Sequence, residues 1–237
     1  MFRAQIVTSE VLKEIPSLFH GFGTKVQPLP FGLELSPEIS KQRWEQSRPK
    51  WRQVHGIETC KVTEHSHDCG DVDGIYTNAN KTPIAVVSAD CVPILFARTH
   101  GPLKVAAVHS GWRGTEGRIV EKLWDRLKLE GERPEEWVAA IGPAIGPCCY
   151  EVSEELAQSF KENFGDLGAQ VAVPEFRKLD LPRIAFELLT RIGLEEVDLI
   201  RACTKCARDP LTGEFLYHSF RREGGGTRQW SLIEIQN

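Results

Sequence analysis

Short apolar runs rich in Val and Ile, each bounded by Gly or Pro, recur along the chain and indicate buried strands. Such runs lie in the central part and towards the end of the sequence, at 84–87, 94–97, 105–108, 137–141, 197–202 and 229–235. Further strands are predicted at 5–8, 18–22, 59–63, 74–77 and 215–220. The polar segment 64–73 between two of these runs is predicted to be a loop.

A segment with helical periodicity follows the predicted strand at 105–108. Apolar residues recur at helical spacing after Thr115, which is a suitable N-cap: Ile119, Val120, Leu123, Trp124 and Leu127. Helices are also predicted over 38–48, from Ser153 to about 163 and over 179–192, the last with Asp180 near its start. Strands and helices mix along the chain without a repeat or a linker, which predicts an α/β (mixed α+β) fold in one domain spanning 1–237.

Composition narrows the classes of function. The chain has 237 residues, a net charge of −4 and no long basic run, so we expect no nucleic-acid partner. No apolar run approaches the roughly 20 residues that cross a bilayer, so we expect no membrane partner. Seven cysteines without a signal-peptide core at the start indicate reduced thiols and a cytoplasmic location.

Three residues with metal-binding side chains lie at or just beyond predicted strand ends. His55, Cys91 and His109 each have a glycine or proline within two positions, which lets the backbone turn a side chain into a shared cleft. Two imidazoles and a thiolate suit a zinc ion and leave a fourth position for water or substrate. The alternative is a buried cysteine with two hydrogen-bonded histidines.

Two other groups of cysteines compete with this one. Cys203-x-x-Cys206 has the spacing of a redox pair or half a zinc site. Because the chain contains no second C-x-x-C, we expect two unpaired thiols that catalysis does not need. The other group of candidate ligands lies in and just before the polar loop: Cys60, His65, His67 and Cys69. A flexible loop that binds metal only adventitiously is the simpler interpretation.

Basic residues beside glycine-rich turns are candidates for binding an anion. Arg113 precedes a predicted helix start, Lys25 follows a glycine turn, and Arg221 and Arg222 adjoin three glycines. Free N–H groups at such places bind phosphate, and arginine adds a two-pronged contact. Taken singly, each of them is equally compatible with an ordinary surface residue.

Four segments together resemble the signatures of one family. They are Q-V-H-G at 53–56, A-D-C-V-P at 89–93, A-V-H-S-G-W-R-G-T at 107–115 and I-G-P-A-I-G-P-C-C-Y-E-V at 141–152. Weaker matches follow the same order at 20–24, 73–77, 179–181 and 218–222. The chain is therefore identified as similar to the laccase-domain (YfiH-type) family, also called the polyphenol oxidase and purine nucleoside phosphorylase family.

This resemblance implies a layered α/β/β/α fold with mixed sheets and a metal held by His55, Cys91 and His109. It also implies phosphorolysis of adenosine, inosine and S-methyl-5'-thioadenosine, and deamination of adenosine. An older interpretation of the family is copper-dependent oxidation of phenols. The chain departs from the family pattern at Ala185 and Leu188, where an Asn and a Gln are usual, so no role is transferred to them.

The hypothesis from the sequence is an enzyme of purine nucleoside metabolism with a Zn²⁺ centre and Arg113 as the catalytic residue that positions phosphate. Its partners are a small-molecule nucleoside and phosphate. Three alternatives stay open: a Cu²⁺ polyphenol oxidase, a metal-free hydrolase with Cys91 as nucleophile and His109 as base, and a metal-dependent binding protein.

Overall fold

The computed structural model of the chain describes residues 6–26, 41–168 and 170–237. The strands are β1 Leu18–Phe22, β2 Lys50–Arg52, β3 Thr59–Val62, β4 Asp68–Asp71, β5 Gly74–Thr77, β6 Ile84–Ser88, β7 Val92–Arg98, β8 Val105–Ser110, β9 Trp137–Ile141, β10 Glu196–Leu199 and β11 Gln229–Ile235. The helices are α1 Glu10–Lys13, α2 Lys41–Ser47, α3 Trp112–Glu116, α4 Ile119–Leu129, α5 Glu154–Asn163, α6 Leu181–Ile192 and α7 Phe220–Glu223. No helix in these ranges is long and apolar enough to cross a bilayer.

Six strands form a mixed sheet in the order β10-β9-β7-β8-β5-β3. The central strand β7 runs antiparallel to β8 and β9, whereas β10 is parallel to β9 and β3 is parallel to β5. The apolar sequences of β7 and β8 suit this central position, because both faces of the sheet are covered and no position needs a polar side chain.

The two faces of this sheet belong to different cores because neighbouring residues of a strand point in opposite directions. Ile94 and Phe96 pack with α4, α5 and α6, while Leu95 and Ala97 pack with the three-stranded sheet β1-β11-β6. Trp44 of α2 covers the far side of that smaller sheet. The layers are therefore helix, sheet, sheet and helix, and the predicted mixed α/β fold is confirmed.

The start of the helical region after β8 differs from the prediction. Gly111, not Thr115, is the N-cap of α3, and Arg118 links α3 to α4 in a left-handed conformation with φ 62°. The cause is tertiary: a Cβ on Gly114 would lie 3.1 Å from the Gly56 carbonyl oxygen. Thr115 instead hydrogen-bonds the Ser110 hydroxyl at 2.8 Å.

Several other predicted elements change. The strand predicted at 5–8 is a single bridge between Val7 and Phe22, with residue 5 outside the described part. No strand forms at 215–220, where Ser219 accepts a hydrogen bond from the Arg222 N–H and begins α7 instead. The strand predicted at 197–202 is Glu196–Leu199, and residues 38–40 of the predicted helix over 38–48 lie outside the described residues.

The segment 64–73 is not a simple loop. It contains β4, which pairs in parallel with β2, and a disulfide joins Cys60 of β3 to Cys69 of β4. The expectation of reduced thiols is therefore wrong for this pair. The disulfide connects the edge strand β3 of the six-stranded sheet to the two-stranded sheet β2-β4.

Gly142 is expected to be a packing position. A methyl group built on it would overlap the ring of Phe22, which is fully buried. Gly142→Ala should therefore lower the free energy of unfolding by about 1–3 kcal/mol, because overpacking a filled core forces side chains and backbone to shift. Urea denaturation measures the change. Gly165→Ala is the matched control, since nothing lies within 4 Å of its added methyl, and an equal loss in both variants would contradict the packing argument.

Candidate metal centre

His55, Cys91 and His109 lie together at one edge of the six-stranded sheet. Their candidate donor atoms are all within 4.8 Å of one another. The two imidazole rings stand edge to face, with centroids 4.9 Å apart. His109 is in β8 opposite Pro93 of β7, so Cys91, just before β7, lies beside it. These are the three residues that the sequence analysis selected.

A buried aspartate holds the backbone of one candidate ligand, His55, and the side chain of another, His109. Asp73, 1% exposed, accepts hydrogen bonds from the backbone N–H groups of Val54, His55 and Gly56 at 3.1, 3.0 and 2.7 Å. Its Oδ1 also accepts from Nδ1 of His109 at 2.8 Å. Because Nδ1 carries this proton, Nε2 of His109 is left as the donor atom that faces Cys91.

The electrostatics of the group favour a thiolate. Burial alone would raise the pKa of the Cys91 thiol, but hydrogen bonds from His109 and His55 outweigh it and lower the pKa to about 6. Burial alone would lower the pKa of His109, but hydrogen bonds to Asp73 and Cys91 raise it to about 9. At neutral pH the metal-free group therefore contains a thiolate at Cys91 beside an imidazolium at His109. A bound metal would take the place of the proton on Nε2 of His109, because ligands bind in their deprotonated form.

The space between the donors depends on a glycine. A Cβ on Gly111 would lie 3.0 Å from Sγ of Cys91 and 3.1 Å from Cδ2 of His55. The absence of a side chain here leaves a small cradle beside the sulfur and the imidazole. Two imidazoles, one thiolate, an orienting carboxylate and this cradle fit a zinc ion with one open coordination position.

A second buried carboxylate fixes the backbone in front of Cys91. Asp90 has φ 92°, an unusual conformation for a residue with a side chain, and its carboxylate is enclosed by donors. Oδ1 accepts from the Thr204 hydroxyl at 2.6 Å, and Oδ2 accepts from the Ser219 hydroxyl at 3.1 Å and the Arg221 N–H at 2.8 Å. Loops far apart in the sequence thereby hold Cys91 in place.

The three candidate ligands line a cleft of about 590 Å³. That volume lies in the range of sites for small ligands, roughly 300–1,000 Å³. Aromatic and guanidinium groups share its lining with the candidate ligands: Trp112, Arg113, Tyr150, Phe220, Arg221 and Arg228. The cleft therefore offers apolar faces and cations next to the candidate metal centre.

The candidate anion-binding residues separate into two groups. Arg113 lines the cleft, but it lies inside the first turn of α3 rather than before a helix, and its guanidinium stacks 4.3 Å from the Trp112 ring centroid. Lys25 is outside the lining and pairs with Glu223 at 3.5 Å. The Arg222 guanidinium is also outside the lining and donates hydrogen bonds to the carbonyls of Thr204 and Lys205.

The remaining cysteines are not placed as expected. Cys203 and Cys206 do have partners, because Cys148 and Cys149 of the 141–152 segment lie against them. In the polar segment, His67 lies near Cys60 and Cys69, but those two sulfurs form the disulfide and are not thiolates. His65 does not join that group.

Sequence reasoning assigned no role to Asp73, Asp90 or Gly111. Asp73 and Asp90 stand inside segments that matched the family, D-G-I-Y-T at 73–77 and A-D-C-V-P at 89–93, and Gly111 stands in A-V-H-S-G-W-R-G-T. The motifs therefore contained all three residues. Their roles could not be assigned from the sequence, because only the strand pairing of the fold shows that Asp73 faces His109.

The fold and the site define a mixed α/β protein with a histidine- and cysteine-lined centre of metal-binding type in an open cleft. Residues 39–236 match the family described as multi-copper polyphenol oxidoreductase laccase. The chain belongs to this family, and the resemblance stated from its motifs is confirmed.

Named relatives agree with this assignment. The chain is 32% identical over 189 residues to purine nucleoside phosphorylase YfiH of Escherichia coli (strain K12), covering 79% of this chain and 74% of that one. It is 34% identical over 190 residues to purine nucleoside phosphorylase YlmD of Geobacillus stearothermophilus, covering 74% and 67%. The crystal structure of Bacillus licheniformis hypothetical protein YfiH superposes with a TM-score of 0.77 at 25% identity, covering 94% of each chain.

Asp73→Asn should weaken metal binding about 10- to 100-fold, because loss of an orienting partner of a histidine ligand has that effect. An amide can still accept from His109, but it cannot accept at both oxygens from Val54, Gly56 and His109. Competition with a chromogenic zinc chelator gives the affinity. Asp71→Asn, two residues away and paired on the surface with Arg52, is the control. Equal affinities in the two variants would remove Asp73 from the centre.

Proposed function

We propose that this protein is a purine nucleoside phosphorylase whose zinc ion is held by His55, Cys91 and His109. In the reaction, phosphate replaces the purine at C1′ of the ribose, giving the free base and ribose 1-phosphate. The observation that carries the proposal is the cleft itself, which joins the three candidate ligands to guanidinium groups and aromatic faces. The names of the relatives support it.

The lining suits a nucleoside. A purine presents two apolar faces and a polar edge, and such ligands bind between aromatic side chains with a few polar groups. Trp112, Tyr150 and Phe220 supply those surfaces in the cleft. Phe220 is 59% exposed, so its ring is open to solvent and accessible to a ligand.

Phosphate needs cations that are not already paired. Arg113 and Arg228 line the cleft, and neither side chain has an ion pair or hydrogen bond with any residue in 6–26, 41–168 or 170–237. Arg221, by contrast, donates to the Glu151 carbonyl at 2.8 Å and lies 4.9 Å from the Tyr150 ring centroid. Arg113 is therefore our choice for holding phosphate against the ribose.

Deamination of adenosine is a second activity that we assign to the same cleft, because three protein ligands leave one position open for water. A bound zinc supplies Lewis acidity and lowers the pKa of that water. Gly111 keeps the space beside the Cys91 sulfur and the His55 ring free of a side chain. Asp73 keeps the donor nitrogen of His109 turned inward.

The types of ligand at this centre favour zinc over copper. Multi-copper oxidation of phenols uses several histidine-rich sites, and the metal-binding groups among the described residues contain at most two histidines each. A metal-free hydrolase with Cys91 as nucleophile and His109 as base would keep its activity after zinc is removed, whereas the proposed enzyme would lose it. Turnover of a nucleoside panel with and without phosphate separates these functions.

Removing one ligand should remove the zinc of this centre. His55→Ala, Cys91→Ala and His109→Ala should each lose one zinc per chain and phosphate-dependent release of purine base together, because two protein ligands hold zinc weakly. Elemental analysis and chromatography of the products measure both. His67→Ala is the control. Copper in place of zinc, or full zinc in Cys91→Ala, would contradict the assignment.

Arg113→Lys should raise the apparent KM for phosphate roughly tenfold, because lysine keeps the charge and loses the two-pronged contact. Deamination, which uses water, should change much less. Initial rates at varied phosphate measure the effect, with Arg133→Lys, which pairs with Glu136 on the surface, as the control. Equal losses in both reactions at unchanged phosphate dependence would show that Arg113 braces α3 instead.

A further inference from the structure

Four cysteines that the nucleoside reaction does not use meet in one place. Cys148 and Cys149 lie in the turn after β9, and Cys203 and Cys206 lie in the loop after β10. β9 and β10 are parallel neighbours, so the segments that follow them leave the same edge of the sheet. A bridge between Ala144 and Cys203 continues this pairing into the loops. The four sulfurs are all within 4.8 Å of one another.

The spacing of the sulfurs matches one metal ion. Tetrahedral zinc with Zn–S bonds of about 2.3 Å separates its sulfurs by about 3.8 Å. Sγ of Cys148 and Sγ of Cys206 are 3.7 Å apart. A cluster of several irons holds its cysteines further apart, since iron atoms and inorganic sulfide lie between them. The group is therefore the size of a mononuclear site.

The backbone around Cys203 is arranged for a thiolate. The Gly146 N–H donates to Sγ of Cys203 at 3.3 Å. The N–H groups of Lys205 and Cys206 also hydrogen-bond this sulfur, from two and three positions further along the chain. Hydrogen bonds of this kind orient and stabilise a charged ligand. A pair of isolated surface thiols would not need three converging donors.

We propose that Cys148, Cys149, Cys203 and Cys206 bind a second zinc ion in a closed, structural site. Four thiolates complete the tetrahedron, so no position is open for water and the ion takes no part in turnover. Cys148 and Cys206 are exposed, which gives the ion a route of entry. The site is separate from the centre formed by His55, Cys91 and His109 and does not depend on it.

The position of the second site indicates a role in stabilising one wall of the cleft. Thr204, between Cys203 and Cys206, is the residue whose hydroxyl binds Asp90 at 2.6 Å, directly before Cys91. Tyr150, directly after Cys149, lines the cleft. Zinc bound to all four cysteines joins the two loops that carry these residues. We expect it to fix one wall of the cleft, as structural zinc does in small domains.

Counting zinc in a set of variants tests the proposal. Protein purified without added metal should hold two zinc ions per chain. The double variant C203S/C206S should hold one, Cys91→Ala should hold one, and their combination should hold none. C60S/C69S, which also exchanges two cysteines for serines, is the matched control and should keep both ions. Thermal unfolding should show a lower Tm for C203S/C206S than for the wild-type protein, because the variant loses the cross-link that zinc makes between the two loops.

Cobalt substitution tests the ligands in protein whose four cysteines are intact. In Cys91→Ala loaded with Co²⁺, absorption should show the strong sulfur-to-cobalt charge transfer and intense visible bands of a tetrahedral four-thiolate site. This measurement covers the case in which C203S/C206S fails to fold. Weak bands typical of nitrogen and oxygen ligands would overturn the proposal.

Three further results would also overturn it. The proposal requires C203S/C206S to lose one zinc ion, so two zinc ions in this variant refute it. Disulfides among the four cysteines in zinc-loaded wild-type protein, detected by mass spectrometry without reductant, would replace the metal site with a redox pair. Iron in place of zinc in protein purified from metal-balanced medium would assign the site to a different ion.

Discussion

The buried carboxylate of Asp73 is the contact on which the candidate centre depends. Burial alone would raise the pKa of this carboxyl, but hydrogen bonds from His109 and from the Gly56 and Val54 N–H groups hold the pKa below its usual range. A charged group in this position is stable only because every donor around it is used. The same contacts fix His55, whose φ of 60° is unusual for a residue with a side chain. One aspartate therefore sets two of the three candidate ligands.

The third ligand depends on a second aspartate in a similar way. The carboxylate of Asp90 accepts hydrogen bonds from the Thr204 and Ser219 hydroxyls and the Arg221 N–H, which lie more than 100 positions further along the chain. Residues from the C-terminal part of the chain therefore form the side of the cleft that packs around Cys91, which lies in the first half of the sequence. Its stability rests on contacts between loops, each held by a strand of the mixed sheet, and not on any single loop.

The parts of this architecture that the sequence predicts are those decided by local pattern. The apolar runs of β7, β8 and β9 and the spacing in α4 are independent of the rest of the chain, and motif order pointed to His55, Cys91 and His109. The helix start at Gly111 was missed because the close approach of Gly114 to the Gly56 carbonyl decides it, not N-cap preference. The partners of Cys203 were missed because only the pairing of β9 with β10 brings Cys148 to it.

A short chain of contacts connects the two cysteine-containing groups. Cys91 follows Asp90, Asp90 is bound by Thr204, and Thr204 stands inside the C-x-x-C loop. Arg222 closes this loop from outside by donating to the Thr204 carbonyl at 3.0 Å. Because the carboxylate is buried, a shift of the loop would leave its Oδ1 without the Thr204 donor, which costs about 1–3 kcal/mol. The position of the Cys91 sulfur is therefore coupled to the conformation of the 203–206 loop, whatever ion either group binds.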